Sequence, residues 1–375
     1  MGQTFDTELA DSQATIVEPI APEAFDFDAY QAYETDLLPK CKSFWNSTGG
    51  VLVYRRMRVA EVFSYGCRDM KASLAMQLGA LQQSMQFAAD IPNFLEPWYG
   101  IGTVASSCGI DYAWHEGQAP AFAHKFKTVK EALDASWVPV KDTPIGHTTL
   151  EMIDYFLEKT NGRIPFSLCD VQSPFNVAAL IVDMSALFMG LYDCPDLVVE
   201  LLERITERMT EFAHEQVKRI GEALVWPGHG FASSREFDGL GMSDDNSMML
   251  SADQYQQFAV PAMVKAAADF AGPVFHSCGN WSHLAPIVRQ IPGLRMVDGA
   301  FGAQTDPSPN DGKVFGEVFA NSGIIVNARI VGDSSVVAEH VRKLWTPGMK
   351  LIVATYCQSP EDQQRAYEMV HEICQ

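Results

Sequence analysis

Apolar residues along this chain recur with two periods, which predict strands and helices in alternation. Short, nearly continuous apolar runs predict buried strands. The predicted strands cover residues 164–171, 237–242, 274–278, 294–297, 324–328 and 350–355. Between most of them apolar residues recur at helical spacing, most clearly in the stripe Val198, Leu201, Leu202, Ile205, Met209 and Phe212. The second half of the chain is therefore expected to consist of strand–helix units.

Three of the predicted helices carry a recognisable start. Pro195 stands in a first turn, where a helix tolerates proline. Ser251, with Gln254 three residues later, resembles a capping box. Ser359 and Pro360 open the last helix with a cap residue followed by proline.

The first part of the chain is less regular. The first 25 residues mix Asp, Glu, Pro and Thr with little periodicity, which indicates an N-terminal arm. Residues 27–45 show a weak helical pattern, and residues 70–89 form a longer helix-like segment. We interpret residues 1–50 as an arm with a helical extension and residues 51–375 as one large α/β domain.

Alternating strands and helices favour βα units around a mainly parallel sheet. A closed (β/α)8 barrel and an open doubly wound sheet both give this pattern. The periodicity alone therefore leaves both architectures open.

Charge and composition narrow the classes of partner. The 375 residues carry 47 acidic and 27 basic side chains, a net charge of −20. Such a surface repels phosphate backbones and anionic lipid head groups, so we expect neither nucleic acid nor a membrane as partner. With no apolar span of about 20 residues and no secretory leader pattern, the sequence predicts a cytoplasmic protein. The eight cysteines are scattered and form no compact disulfide framework.

His276 and Cys278 stand at the end of the predicted strand 274–278. Side chains in a strand alternate faces, so these two point the same way, and Gly279 permits a sharp turn directly after them. Imidazole nitrogen and thiolate sulfur are ligands that zinc prefers.

Cys357 follows the predicted strand 350–355 and precedes the last helix. It therefore stands at the carboxyl end of another strand, where barrel enzymes build their sites. Three such ligands leave a fourth zinc position open for substrate. The alternative is that these cysteines are core residues, as strand cysteines usually are, and the residues alone leave both interpretations open.

The chain from about residue 164 to its end resembles the uroporphyrinogen decarboxylase superfamily, and within it the zinc-dependent corrinoid methyltransferases. The resemblance rests on DGLGMSDD at 238–245, HSCGN at 276–280 and ATYC at 354–357. The 79 positions between Cys278 and Cys357 are similar to the spacing of that family's zinc motif. Its members include methylcobamide:coenzyme M methyltransferases and the methyltransferase components of O-demethylases.

This resemblance implies a (β/α)8 barrel that holds zinc through His276, Cys278 and Cys357. It also implies methyl transfer, in either direction, between a thiol or methoxy compound and a corrinoid. Because the sequence shows no corrinoid-binding module, the cobalamin is expected on a partner protein.

Two other functions stay open. A tetrapyrrole decarboxylase of the parent family would need no metal. Arg55, Arg56 and Arg58 are similar to its arginine-rich motif, but the surrounding residues depart from that motif. A non-catalytic barrel relative with inert cysteines is the third possibility.

Acidic and histidine side chains near predicted strand ends are candidates for catalysis. The resemblance implies an acidic residue near Asp298 that occupies the fourth zinc position until substrate displaces it, a role for which Glu96 competes; a helix-capping carboxylate is the alternative. His229 stands in a glycine-flanked loop that can reach the pocket, or is simply exposed. Asp244 and Asp245 orient a zinc ligand or contact substrate, or form a solvated turn.

Aromatic residues are candidates for the wall of a substrate or corrin pocket. These are Trp98, Tyr99 and Trp226. The alternative is that they belong to the core, where aromatic side chains are common.

Overall fold

The computed structural model of the protein describes residues 13–123 and 125–375 and contains a parallel sheet of six strands. The strands, numbered with a short hairpin included, are β1 Gly50–Arg55, β2 Tyr112–Ala113, β3 Ala121–Phe122, β4 Leu240–Ser243, β5 Pro273–His276, β6 Met296–Ala300, β7 Ile325–Ile330 and β8 Lys350–Thr355. Strands β2 and β3 form the hairpin, and the other six lie in the order β1–β8–β7–β6–β5–β4.

The sheet closes on itself, because the first strand pairs with the last. Strand β1 lies parallel to β8, with Val53 opposite Val353. The remaining arc is built from irregular segments joined by isolated parallel bridges, which are Leu95–Phe166, Phe166–Leu224 and Gln172–Ser243. This closure confirms the predicted (β/α)8 barrel and rules out the open doubly wound sheet.

Helices surround the barrel and connect its strands. They are α1 Phe27–Trp45, α2 Met70–Ser84, α3 Val129–Asp134, α4 Pro144–Thr160, α5 Pro174–Ile181, α6 Met184–Asp193, α7 Pro195–Ile220, α8 Ala252–Gln254, α9 Val260–Ala266, α10 Ala285–Val288, α11 Gly312–Phe319, α12 Ser334–Leu344 and α13 Pro360–Ile373. The capping box predicted at Ser251 and Gln254 is present at the start of α8. None of the helices in the described ranges is both long and apolar enough to cross a membrane.

Each barrel strand separates two apolar layers. One layer fills the barrel lumen and includes Leu52, Val274 and Met296, while the other lies between the strands and the helices. Because neighbouring residues of a strand point to opposite sides, a residue's position in the strand decides whether it can reach the lumen. Towards the carboxyl ends of the strands, polar side chains such as His276, Asp298 and Arg329 replace the apolar lumen layer.

The N-terminal extension covers both ends of the barrel. Helix α1 closes the amino end, where Trp45 stacks on Phe237 and Lys350 Nζ donates to the Trp45 carbonyl. The described part of the arm crosses the carboxyl end, where the backbone N–H of Thr15 donates to the Arg58 carbonyl at 2.7 Å. The predicted arm also includes residues 1–12, which lie outside the described residues.

Candidate metal centre

Strand β5 brings His276 and Cys278 to the lumen at the carboxyl end of the barrel. Val274 belongs to the lumen layer, so the alternation of faces directs His276 and then Cys278 to the same side. Gly279 turns the chain at a positive φ of 71°, a conformation that glycine adopts without strain. The predicted pairing of the two side chains is present: Cys278 Sγ lies 3.5 Å from His276 Nε2.

Asp245 joins these two side chains from the end of β4. One ligand atom each of Asp245, His276 and Cys278 lies within 4.8 Å of the others. Asp245 Oδ1 is 3.7 Å from His276 Nε2 and accepts the backbone N–H of Cys278 at 2.6 Å. These three residues, called the metal-ligand group below, present an oxygen, a nitrogen and a sulfur.

Asp298 holds the other side of the histidine ring. Its Oδ1 lies 2.5 Å from His276 Nδ1 and also accepts a hydrogen bond from Arg329 Nε at 2.8 Å. Its Oδ2 accepts a hydrogen bond from Asn327 Nδ2. Burial alone would raise the pKa of Asp298, but Arg329 and His276 bring this pKa down to about 2. A carboxylate on Nδ1 directs Nε2 to the metal-ligand group, as in many metal sites. The structure thus places Asp298 behind the histidine.

The pKa of His276 also reflects this arrangement. Burial disfavours the imidazolium, but the charges of Asp298 and Cys278 raise the pKa well above its usual value. Because metal binding requires a neutral imidazole, a metal ion at Nε2 would have to displace the proton that these charges favour.

Cys357 lies apart from the metal-ligand group. Strand β8 ends at Thr355, and the inward position after it belongs to Tyr356, whereas Cys357 packs in the layer between strands and helices. The thiol contacts the Gly332 carbonyl at 3.7 Å, and burial, with Asp362 nearby, raises its pKa to about 12. This is the position expected of a core cysteine, and the ligand role of Cys357 stays a prediction.

Asp244 and Asp245 divide two roles between them. Asp245 faces the metal-ligand group, whereas Asp244 is fully buried and accepts hydrogen bonds from Ser173 Oγ and, at 3.3 Å, from Tyr255 OH. Burial raises the pKa of Asp244 to about 6. Its backbone N–H donates to the His276 carbonyl at 2.8 Å, which ties the ends of β4 and β5 together.

A second polar cluster brings together Glu96 and His229, which the sequence proposed separately. His229 Nδ1 lies 2.5 Å from Glu96 Oε2, and Nε2 lies 3.3 Å from Asp170 Oδ2. Trp98 is buried beside them and donates from Nε1 to Asp170 Oδ2 at 3.2 Å. Burial raises the pKa of Glu96, but the charges of His229 and of Arg56 outweigh this effect and leave it below its usual value.

The other two predicted aromatic residues lie in different surroundings. Tyr99 is half-buried and packs on Trp114, with ring centroids 5.4 Å apart. Trp226 packs on Phe270, with centroids 5.9 Å apart, and its backbone pairs with Ser234. Of the three aromatic candidates, Trp98 is the one bonded into the polar cluster.

Sequence reasoning missed Asp170 and Arg329. Arg329 and Asn327 are polar residues at alternate positions of an otherwise apolar strand, which is the signature of a polar face turned to the lumen. Asp170 falls near the end of the predicted strand 164–171, so the rule that barrel sites form at strand ends could have indicated it.

Comparisons with known proteins agree with this fold. The chain matches the uroporphyrinogen decarboxylase (URO-D) family over residues 53–350. Among solved structures it is similar to a methyltransferase from Methanosarcina mazei, with a TM-score of 0.56, 14% sequence identity and 98% of each chain covered. No curated protein matches it in sequence. At 14% identity the structural likeness concerns the fold alone, whereas the family match spans most of the barrel. The chain belongs to the uroporphyrinogen decarboxylase family.

Proposed function

We propose that this chain is a zinc-dependent methyltransferase. It moves a methyl group between a small thiol or methoxy compound and a corrinoid carried by a partner protein. One observation carries the zinc: Asp245, His276 and Cys278 present three different donor atoms within 4.8 Å of one another at the carboxyl end of the barrel. The resemblance in sequence, and the fold shared with the methyltransferase from Methanosarcina mazei, support methyl transfer.

The donor set fits zinc. Nitrogen and sulfur donors favour zinc over magnesium or calcium, which prefer oxygen alone. Three protein donors leave a position for substrate, and zinc bound there supplies a Lewis acid for the substrate's sulfur or oxygen. The sequence proposes Cys357 as the third protein ligand in place of Asp245, and this role is tested separately below.

Each residue around the metal-ligand group has a distinct task. Asp298 accepts from His276 Nδ1 and keeps the ring in one orientation. Asp245 accepts a hydrogen bond from the backbone N–H of Cys278, and this bond fixes the carboxylate. The same bond holds the turn that presents the Cys278 thiol. Cys278 is exposed to the lumen, so a small substrate can reach the donors.

A methyl-transfer assay tests this function. Zinc-loaded protein is mixed with methylcobalamin and 2-mercaptoethanol, or with chemically reduced cobalamin and methoxybenzene, and the cobalamin absorbance is followed. We expect transfer in at least one mixture and a loss of about 100-fold or more in His276→Ala and Cys278→Ser. Cys194→Ser, at the start of α7, is the matched control and keeps the rate. Absence of transfer in both mixtures, or full activity in His276→Ala, contradicts the proposal.

A second candidate function is tetrapyrrole decarboxylation. It is favoured by Arg56 and Arg58, whose charges lower the pKa of Glu96 and suit a pocket for substrate carboxylates. Such an enzyme needs no metal. Consumption of uroporphyrinogen by metal-free protein, without any methyl transfer, would favour it over the first candidate.

A further inference from the structure

A chain of hydrogen bonds runs from Asn246, the residue after Asp245, towards His229. The backbone N–H of Asn246 can only donate, and it donates to Asn176 Oδ1 at 3.0 Å. The Asn176 amide therefore turns its Nδ2 to Gln172 Oε1, at 2.5 Å. Gln172 in turn directs its Nε2 to Asp170 Oδ1, at 2.7 Å. One backbone donor thus fixes the orientation of both amides.

Asp170 consequently accepts on both oxygens. Trp98 Nε1, which can only donate, occupies Oδ2, and Gln172 Nε2 occupies Oδ1. Both oxygens of Asp170 are thus acceptors held in place by neighbouring donors. His229 Nε2 faces this carboxylate, 3.3 Å from Asp170 Oδ2.

The other ring nitrogen of His229 meets Glu96. A separation of 2.5 Å between Nδ1 and Oε2 requires a proton between them, because two lone pairs this close would repel. Since Arg56 and Arg58 also favour the ionised form of Glu96, the proton belongs to the ring. His229 thus lies between two carboxylates, with Glu96 on Nδ1 and Asp170 beside Nε2.

This pair faces the same lumen as the metal-ligand group. The side chains of His229 and Glu96 are 17% and 12% exposed, so each keeps an accessible edge. Phe231, two residues after His229, lies edge-on to the His276 ring, with centroids 6.1 Å apart. The loop is held from the opposite side by Arg56 Nη1, which donates to the Gly230 carbonyl.

We infer that Glu96 and His229 form the proton donor of this site and that Asp170 positions it. The inference rests on the proposed function and deepens it: a pair that already holds a proton suits cleavage of a methyl ether rather than deprotonation of a thiol. The carbon–oxygen bond breaks, and the methyl group passes to the reduced corrinoid of the partner, which supplies the new electron pair. The ether oxygen keeps the bonding pair and takes the proton from His229, and solvent restores that proton.

The tautomer is tested first, on metal-free protein. In protein labelled with ¹⁵N-histidine, the His229 signals are identified by their loss in His229→Gln. We expect wild-type His229 to be protonated on Nε2, and Asp170→Asn to change its ring signals while those of His214 stay the same. His214 is a fitting control because it forms a similar pair with Asp269 on the surface. A bare Nε2 in the wild type would overturn the inference.

The proton transfer is tested with ring-substituted methoxybenzenes, reduced cobalamin and zinc-loaded protein. We expect the wild-type rate to depend little on the acidity of the phenol that leaves. Glu96→Gln and His229→Gln should lose about 100-fold with weakly acidic phenols and little with 4-nitrophenol, whose anion needs no proton to leave. His214→Gln should keep the wild-type profile.

An equal loss across the whole series would overturn the proton-donor role. If no ether transfers its methyl group in the wild type, ether cleavage as the proposed function fails, and the donor role fails with it. The ¹⁵N signals would even then decide whether Asp170 positions His229.

Discussion

Asp298 shows how much of the site depends on one buried side chain. It accepts hydrogen bonds from Asn327 and Arg329 and faces His276 Nδ1, and it is fully buried. A carboxylate removed from water is stable only with such partners, because burial strongly disfavours an unpaired charge. The same contacts that stabilise Asp298 fix the ring that presents Nε2 to a metal.

Asp298→Asn is therefore expected to lower the zinc affinity by about 10- to 100-fold, since the amide no longer favours a proton on Nδ1. Competition with a zinc chelator measures the change. Asp238→Asn is the matched control, because Asp238 is a half-exposed carboxylate paired with Arg295 at 2.9 Å. Equal zinc affinity in Asp298→Asn and the wild type would show that Asp298 does not support the site.

Cys357→Ala tests the remaining ligand prediction. Because the thiol is buried beside the Gly332 carbonyl, its removal should lower the free energy of unfolding by about 1 kcal/mol. Chemical denaturation measures this loss, and an unchanged stability would contradict the buried position. The zinc content of the same variant decides the ligand role. A lower zinc content than in the wild type supports Cys357 as a ligand, and an unchanged zinc content shows that Cys357 is not one.

At the scale of elements, the turn after β5 connects backbone conformation to the site. Gly279 has a positive φ, and a Cβ at this position would lie 3.1 Å from the Met248 side chain. The turn also sets the direction of the Cys278 backbone N–H towards Asp245. Strain in the turn is therefore expected to reach the ligands directly.

Gly279→Ala should cost about 1–2 kcal/mol in stability and weaken zinc binding. Gly109→Ala is the matched control, with a positive φ of 85° and no atom within 4 Å of the added Cβ. It should cost about 1 kcal/mol and leave zinc binding unchanged. Thermal melts and chelator competition on both variants measure the difference, and equal zinc affinity would contradict the role of the turn.

Asp90 ties three elements together at the outer side of β1. Asp90 accepts hydrogen bonds from the backbone N–H of Val53 at 2.9 Å and from Lys40 Nζ of α1 at 3.0 Å. From α13 it accepts the hydrogen bond of the Tyr367 hydroxyl at 2.7 Å, and His371 Nε2 lies 2.8 Å away. Burial raises the pKa of this carboxyl, but these partners outweigh burial and leave it below its usual value. The carboxylate therefore stabilises the native state by more than the cost of its burial.

Asp90→Asn should lower the free energy of unfolding by about 2 kcal/mol or more at neutral pH. Because the native pKa of Asp90 lies below the unfolded one, its stabilisation is complete above about pH 4 and is lost as the pH falls through the native pKa. Urea denaturation at several pH values should therefore show the wild type approaching the variant in acid. Asp269→Asn, on the surface, should change stability by less than about 0.5 kcal/mol. A constant gap between wild type and Asp90→Asn would contradict this account.

At the scale of the whole molecule, the regular parts of the barrel were predictable. Helix 27–45 and the strands at 274, 325 and 350 fall within a few residues of their predicted positions, because the spacing of apolar residues indicates the type of element. In place of the predicted strand 164–171 the structure has isolated bridges at Phe166 and, one residue beyond the predicted range, at Gln172. That arc is held by side chains that are distant in sequence: the Gln216 side chain, for example, accepts the backbone N–H of Cys169. A local sequence pattern does not reveal such contacts.

The site was predictable to the extent that it follows strand alternation. His276 and Cys278 are brought together because they are two residues apart on one strand. Cys357 lies beyond the end of β8, where alternation no longer sets the direction of a side chain, and the structure turns it into the helix layer. The partners of His229, Glu96 and Asp170, come from two separate segments of the barrel, so their meeting depends on the closed fold.

Metal analysis of the purified protein tests the central claim most directly. Protein prepared without chelator and analysed by plasma emission should contain about one zinc per chain, as a single catalytic site requires. The zinc should be lost in His276→Ala and in Cys278→Ser and retained in Cys194→Ser. Wild-type protein that carries no zinc and cannot be reconstituted with it would contradict the account.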